Sequence, residues 1–156
     1  MKKKRIAVTI GDPSGIGPEI VLKALSAHPE IYEDSIPIIY GCPEILKHQA
    51  EHFNIETDMK VISDPQSITD ASPETLNIYA VSKAQEIPEF GIINAVSGNL
   101  AYKFIATATQ SAMMGAVSAV ATAPINKEAL KMARIPYLDH TEIFTKLTNS
   151  QNTMTL

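Results

Sequence analysis

The chain has a single cysteine, Cys42, so no disulfide can close within its 156 residues. That usage suits the cytoplasm. Long apolar runs are lacking too. The first apolar run, Ile6-Ala7-Val8-Thr9-Ile10, stops at Gly11 and is too short for a signal-peptide core or a membrane span. The basic start, Lys2 to Arg5, reads as a solvated lead into a strand. There is no excess of positive charge. A net charge of −4 argues against a general nucleic-acid binder. Neither G-x-x-x-x-G-K-[ST] nor G-x-G-x-x-G occurs, which excludes a Walker loop and an ordinary dinucleotide fingerprint. Internal repeats and low-complexity tracts are also missing.

With 45% apolar and 19% charged residues, the chain has the composition of an ordinary globular protein long enough for one core. Its organising stretch is Gly11-Asp12-Pro13-Ser14-Gly15-Ile16-Gly17-Pro18-Glu19. The run before it reads as a buried strand. Ile20, Val21, Ala24 and Leu25 after it give one apolar helix face. Gly17 is the expected N-cap, Pro18 the first helical residue, and Glu19 suits the positive helix end. Such strand–turn–helix junctions are where α/β proteins place ligands. The turn either cradles an anion on backbone N–H groups or only packs strand against helix.

The rest of the chain alternates. A helix ends near His28-Pro29, Ile36–Tyr40 is a strand, and a helix runs from Pro43 to about Phe53. Met59–Ile62 is a short strand, 64–74 a surface loop, Leu76–Val81 a strand, and 83–94 irregular. The clearest helix spans about Ser97–Met114, with Ser97 as its cap and Gly115 closing it. Val117–Thr122 reads as a buried strand, stopped by Pro124. Asn126 caps a short helix that carries Ala129, Leu130 and Met132 inward. After a loop at 134–138, Asp139 and Glu142 form a capping-box-like start to a helix through about Leu147. Thr153–Leu156 reads as the beginning of another strand. The alternation predicts an α/β fold with a mostly parallel sheet and flanking helices.

Several patterns carry candidate chemistry. His48-Gln49-Ala50-Glu51-His52 matches the H-x-x-E-H zinc pattern. The core face of that helix is Ile45, Leu46, Ala50 and Phe53, however, so the histidines point away from it and read as a solvated face. Cys42, just past a strand end, reads as a small partly buried residue. Thr122-Ala123-Pro124-Ile125-Asn126-Lys127 repeats the strand–turn–helix design. Lys127 there is either an anion partner or a solvated lysine, and Asn126 either a cap or a ligand contact. His140 and Thr141 follow a loop at a helix start, where an imidazole and a hydroxyl can meet a polar ligand.

Three segments, V-T-I-G-D-P-S-G-I-G-P-E-I at 8–20, T-A-P-I-N-K at 122–127 and H-T-E at 140–142, together resemble the PdxA family, the 4-hydroxythreonine-4-phosphate dehydrogenases of vitamin B6 biosynthesis. The resemblance covers about the N-terminal half of a family member. It implies a fold like isocitrate and isopropylmalate dehydrogenases, incomplete here. Residues 1–124 would belong to the first α/β domain, and residues 125–156 to a crossover and the truncated start of the second. It implies a cytoplasmic homodimer with shared active sites, with neither nucleic acid nor membrane as partner. The implied reaction is NAD-dependent, divalent-metal-assisted (Zn, Mg or Co) oxidation and decarboxylation of 4-phosphohydroxy-L-threonine to 3-amino-2-oxopropyl phosphate.

By this resemblance His140 and Thr141 match a substrate-contacting pair. Lys127 and the loop from Asp12 through Gly15 to Gly17 line the cleft, with Asn126 beside them. The family's metal-binding histidines fall after the H-T-E segment, so the resemblance places no metal ligand in this chain. Asp139 stands where the family commonly has glycine. Both residues suit an N-cap, but the added carboxylate bears on substrate preference. The alternatives are oxidation of D-threonate or erythronate 4-phosphate, and binding of a phosphorylated ligand without catalysis.

Overall fold

The computed structural model describes residues 3–151; the strand expected from Thr153 lies outside them. Five strands form one sheet: β1 (Lys4–Thr9), β2 (Ser35–Gly41), β3 (Asp58–Ile62), β4 (Thr75–Ala80) and β5 (Ala119–Thr122). Their spatial order is β3-β4-β2-β1-β5, and every named pairing is parallel. The helices are α1 (Gly17–Ala27), α2 (Ile31–Asp34), α3 (Pro43–His52), α4 (Ala95–Met113), α5 (Lys127–Met132) and α6 (His140–Thr148). Among the described residues no helix is long and apolar enough to cross a membrane.

Period-two alternation in β2 divides the core. Ile36, Ile38 and Tyr40 pack with Ala7 of β1 and Ala108 of α4. Ile39 faces the other way, toward Val21, Leu22 and Leu25 of α1 and Ile45 and Leu46 of α3. Helices α5 and α6 pack on α4 around Ile105, Leu130 and Ile143. Residues 125–148 thus extend the helical layer over α4.

Several local expectations change. Gly17 is the first helical residue rather than the N-cap; Ile16 precedes it in helical conformation, and Pro18 follows. Ile20 is 41% exposed because Val21, Leu22 and Leu25 turn inward instead. The short α2 was not foreseen. The α4 cap is Asn94, whose side chain accepts from the Ser97 N–H, so Ser97 lies inside the first turn, fully buried. On α3, Gln49 joins the buried face and Phe53 is only half-buried. β5 is no buried strand. It pairs with β1 alone and forms the sheet edge, leaving Ala119 and Ala121 exposed. Met132 is 54% exposed.

Other local readings hold. Gly115 donates to Ala112 O at 2.9 Å and Ala116 to Ser111 O at 2.8 Å, the paired bonds of a Schellman ending. Asn126 accepts from the Ala129 N–H at 3.0 Å. Asp139 accepts from the Glu142 N–H, while Glu142 accepts from the Leu138 N–H.

A candidate active-site notch at the sheet switch point

From β1 the chain first builds toward β2, then returns past it to place β5 on the other side of β1. The carboxyl ends of β1 and β5 therefore flank a topological switch point, the usual crevice for ligands in such sheets. The two loops there are joined directly. The Asp12 N–H donates to Pro124 O at 2.9 Å, and the Ala123 N–H to Thr9 O at 3.1 Å. Gly17 packs this junction: a Cβ there would lie 2.1 Å from Ile10 O. Its place is under the loop.

The glycine loop consumes its own donors. The Ser14 N–H donates to Asp12 Oδ1 at 2.8 Å. The Gly15 N–H donates to Asp12 O at 3.0 Å. With Asp12 tied to Pro124, three of the amides that a phosphate would need are already paired. Asp12 itself is 5% exposed. Burial raises its carboxyl above the usual range, and the Ser14 N–H partly opposes that. A buried carboxyl and spent amides favour the packing reading of this turn over an anion cradle.

Asp12, Ser14, Gly15 and Asn126 share a small notch of about 80 Å³ with residues 91–93. Three candidates from the sequence, Asp12, Gly15 and Asn126, thus meet in one place. Lys127 is exposed at the start of α5 and does not line the notch. Around it, Ile16, Ile92, Ile93 and Val96 are 46–62% exposed. A larger groove of about 620 Å³ between the end of α3 and β3 contains none of the candidates.

His140 opens α6 beside the β5 end. Its Nε2 is buried with no hydrogen-bond partner among the described residues. Burial lowers its pKa, and the Ala123 backbone and Asp139 carboxylate oppose the shift less strongly. Thr141 is half-buried next to it. Ala123 therefore touches both sides of the site, since Gly11 also packs against its carbonyl.

One group was missed from sequence. Ser14 Oγ lies 2.6 Å from Ser97 Oγ and accepts from Asn94 Nδ2 at 3.0 Å. The Gly91 N–H donates to Ser14 O at 2.7 Å. Loop 91–94 and the α4 start are thereby clamped to the glycine loop. The only sequence signal was the spacing Asn94-x-x-Ser97, which fits an Asn cap. Gln49 also lies beneath the loop, with Nε2 3.5 Å from Pro13 O and with no partner for Oε1 among the described residues.

The chemistry implied for the family can be set against these residues. Among the described residues no three His, Cys, Asp or Glu side chains converge as a metal site. The notch is too small for a whole dinucleotide. Cys42 is fully buried, and burial with a hydrogen bond to Glu44 pushes its thiol up to about 11. His48 and His52 are exposed on the outer face of α3.

The family described as pyridoxal phosphate biosynthetic protein PdxA matches residues 33–156. A D-threonate 4-phosphate dehydrogenase of Pectobacterium atrosepticum is 42% identical over 153 residues, 96% of this chain and 45% of its own. One from Salmonella typhimurium is 38% identical, with 97% and 46% covered. A solved 4-hydroxythreonine-4-phosphate dehydrogenase from Klebsiella pneumoniae is similar at a TM-score of 0.86 and 35% identity, over 96% of this chain and 46% of that one. Another, from Burkholderia phymatum, has a TM-score of 0.89 at 29% identity, with 96% and 45% covered. The chain spans about half the length of the curated relatives it matches.

Proposed function

The chain belongs to the PdxA family, and from that premise we propose that it supplies one half of the site of a dehydrogenase for four-carbon 4-phosphorylated acids. The carrying observation is the meeting of Asp12, Asn126 and the His140 turn around Ala123 and Pro124 at the switch point. D-threonate 4-phosphate is the first substrate to test, since relatives of that name align over nearly the whole chain. 4-Phosphohydroxy-L-threonine is the second, as the solved neighbours bear that name. The two differ in presenting a 2-hydroxyl or a 2-amino group.

In this reading His140 and Thr141 contact the substrate. A lowered pKa keeps the imidazole neutral at pH 7, so it offers one N–H and one lone pair instead of a charge. Lys127, exposed at the start of α5 next to the notch residue Asn126, would supply positive charge for the substrate phosphate. Asp12 and Asn126 offer a hydroxyl acceptor and an amide. A nicotinamide cofactor, when bound, would supply the hydride acceptor for oxidation of the substrate alcohol; the notch residues described here would hold the substrate and not that cofactor. A homodimer would complete each site with residues from outside this chain.

A second reading is that the 156-residue chain binds a phosphorylated ligand without turnover. It is favoured by the notch volume of about 80 Å³, which suits a small anionic group and not a dinucleotide. Both are tested by supplying the purified chain with NAD, a divalent cation and each substrate. NADH absorbance from one substrate supports the dehydrogenase reading for this chain. Calorimetric binding with no NADH supports the second reading for the chain by itself, and binding of neither substrate overturns both.

A further inference from the structure

The H-x-x-E-H segment plays no part in the notch, yet its histidines are not idle. His48 and His52 lie one helical turn apart on the exposed side of α3, their rings stacked with centroids 6.5 Å apart. Both rest on Phe90, at 5.5 and 4.7 Å. His52 also meets Phe53 edge-on at 4.7 Å. Phe90 belongs to the segment that continues into Gly91, Ile92 and Ile93, the wall of the notch. Gly91 is hydrogen-bonded to Ser14 O. One ring thus ties α3 to the site wall.

We propose that His48 and His52 bind a divalent transition-metal ion of the Zn²⁺ type in competition with Phe90, and that binding releases the 90–93 segment from α3. Imidazoles at i and i+4 share one helix face and can converge on one ion. Only two protein ligands come from the pair, so water completes the coordination. Coordination would fix both ring orientations about one ion, and Phe90, which touches both rings, is the contact that competes with it. The site lies on the outer face of α3, away from the notch, and needs no dehydrogenase activity.

The test uses the ¹⁵N-labelled 156-residue chain and ZnCl₂ alone at pH 7.5. We expect saturable binding of one Zn²⁺ with shifts at the His48 and His52 rings and at the Gly91 and Ser14 amides. His48→Ala and His52→Ala should each weaken it at least about tenfold. Phe90→Ala should tighten it about two- to tenfold, the factor that loss of a competing aromatic contact allows. Zn²⁺ binding indifferent to both histidines overturns the site. Unchanged affinity in Phe90→Ala overturns the competition, and silent Gly91 and Ser14 amides overturn the link to the notch.

Discussion

The hydroxyls of Ser14 and Ser97 lie 2.6 Å apart across 83 residues of sequence, and both side chains are buried. Through this contact and the Asn94 bond, the first turn of α4 holds the glycine loop from above. Asp12 is oriented from within the same loop, by its own bond from the Ser14 N–H.

Removing one hydroxyl should therefore cost more than a surface change. Ser97→Ala is expected to lower stability by about 1–2 kcal/mol, or roughly 2–8 °C in Tm. A double-mutant cycle with Ser14→Ala should show coupling of at least about 0.5 kcal/mol. Additive losses in urea denaturation would mean that the two hydroxyls act independently.

Gly98 marks a closer approach. A Cβ there would lie 2.0 Å from Ala129 O, in the backbone of α5. Gly98→Ala should separate α4 from α5 and destabilise by about 1–3 kcal/mol. Gly15→Ala is the control, since its Cβ would meet nothing nearer than 3.5 Å. Equal midpoints for the two variants in denaturant would refute the close packing.

His140 should make the fold acid-sensitive. Its folded pKa is below the ordinary 6.5, so on acidification the unfolded chain takes the proton first. This contribution to stability is complete above pH 6.5 and is lost as pH falls through the folded value. Tm of the wild type and of His140→Gln, compared from pH 8 to 5, should converge toward the acid end. A constant gap would show that the ring is not held neutral.

Asp12 works in the opposite sense. Its carboxyl is raised from 3.8 by burial, so its own contribution to stability is complete below pH 3.8 and is lost as pH rises through the folded value. Asp12→Asn keeps an oxygen for the Ser14 N–H. Its Tm at pH 7 should be no lower than the wild type's. Ligand affinity measured by calorimetry should change severalfold, because the notch loses its carboxylate.

Cys42 should resist thiol reagents. Raising the thiol from 9.0 to about 11 lowers the thiolate fraction about a hundredfold at pH 8. Native chain should stay unlabelled by Ellman's reagent while urea-unfolded chain reacts. Fast labelling of the native form would place the thiol at the surface.

Features settled within a few residues were legible in the sequence. The Asn126 cap, the Asp139–Glu142 box and the Gly115 ending each depend on a bond spanning three to five positions. Side-chain chemistry and turn geometry determine these without help from the rest of the fold. The H-T-E and glycine segments were legible for the same reason, as short runs whose residue types identify the family.

What tertiary structure decided involves partners far apart in the chain. Nothing near Val117–Thr122 reveals that β5 is a sheet edge, because its small apolar residues suit a buried strand equally well. Ser97 looks like a cap until Asn94 takes that role and Ser14 arrives from 83 residues away. From sequence the glycine loop reads equally as an anion cradle or a packing turn; the bonds to Pro124 and Asp12, which consume its amides, favour packing. Residue types and spacing determined which elements form and which family they belong to. Only the assembled sheet decided which polar groups remain free, because each group's partners are chosen by packing across the whole chain.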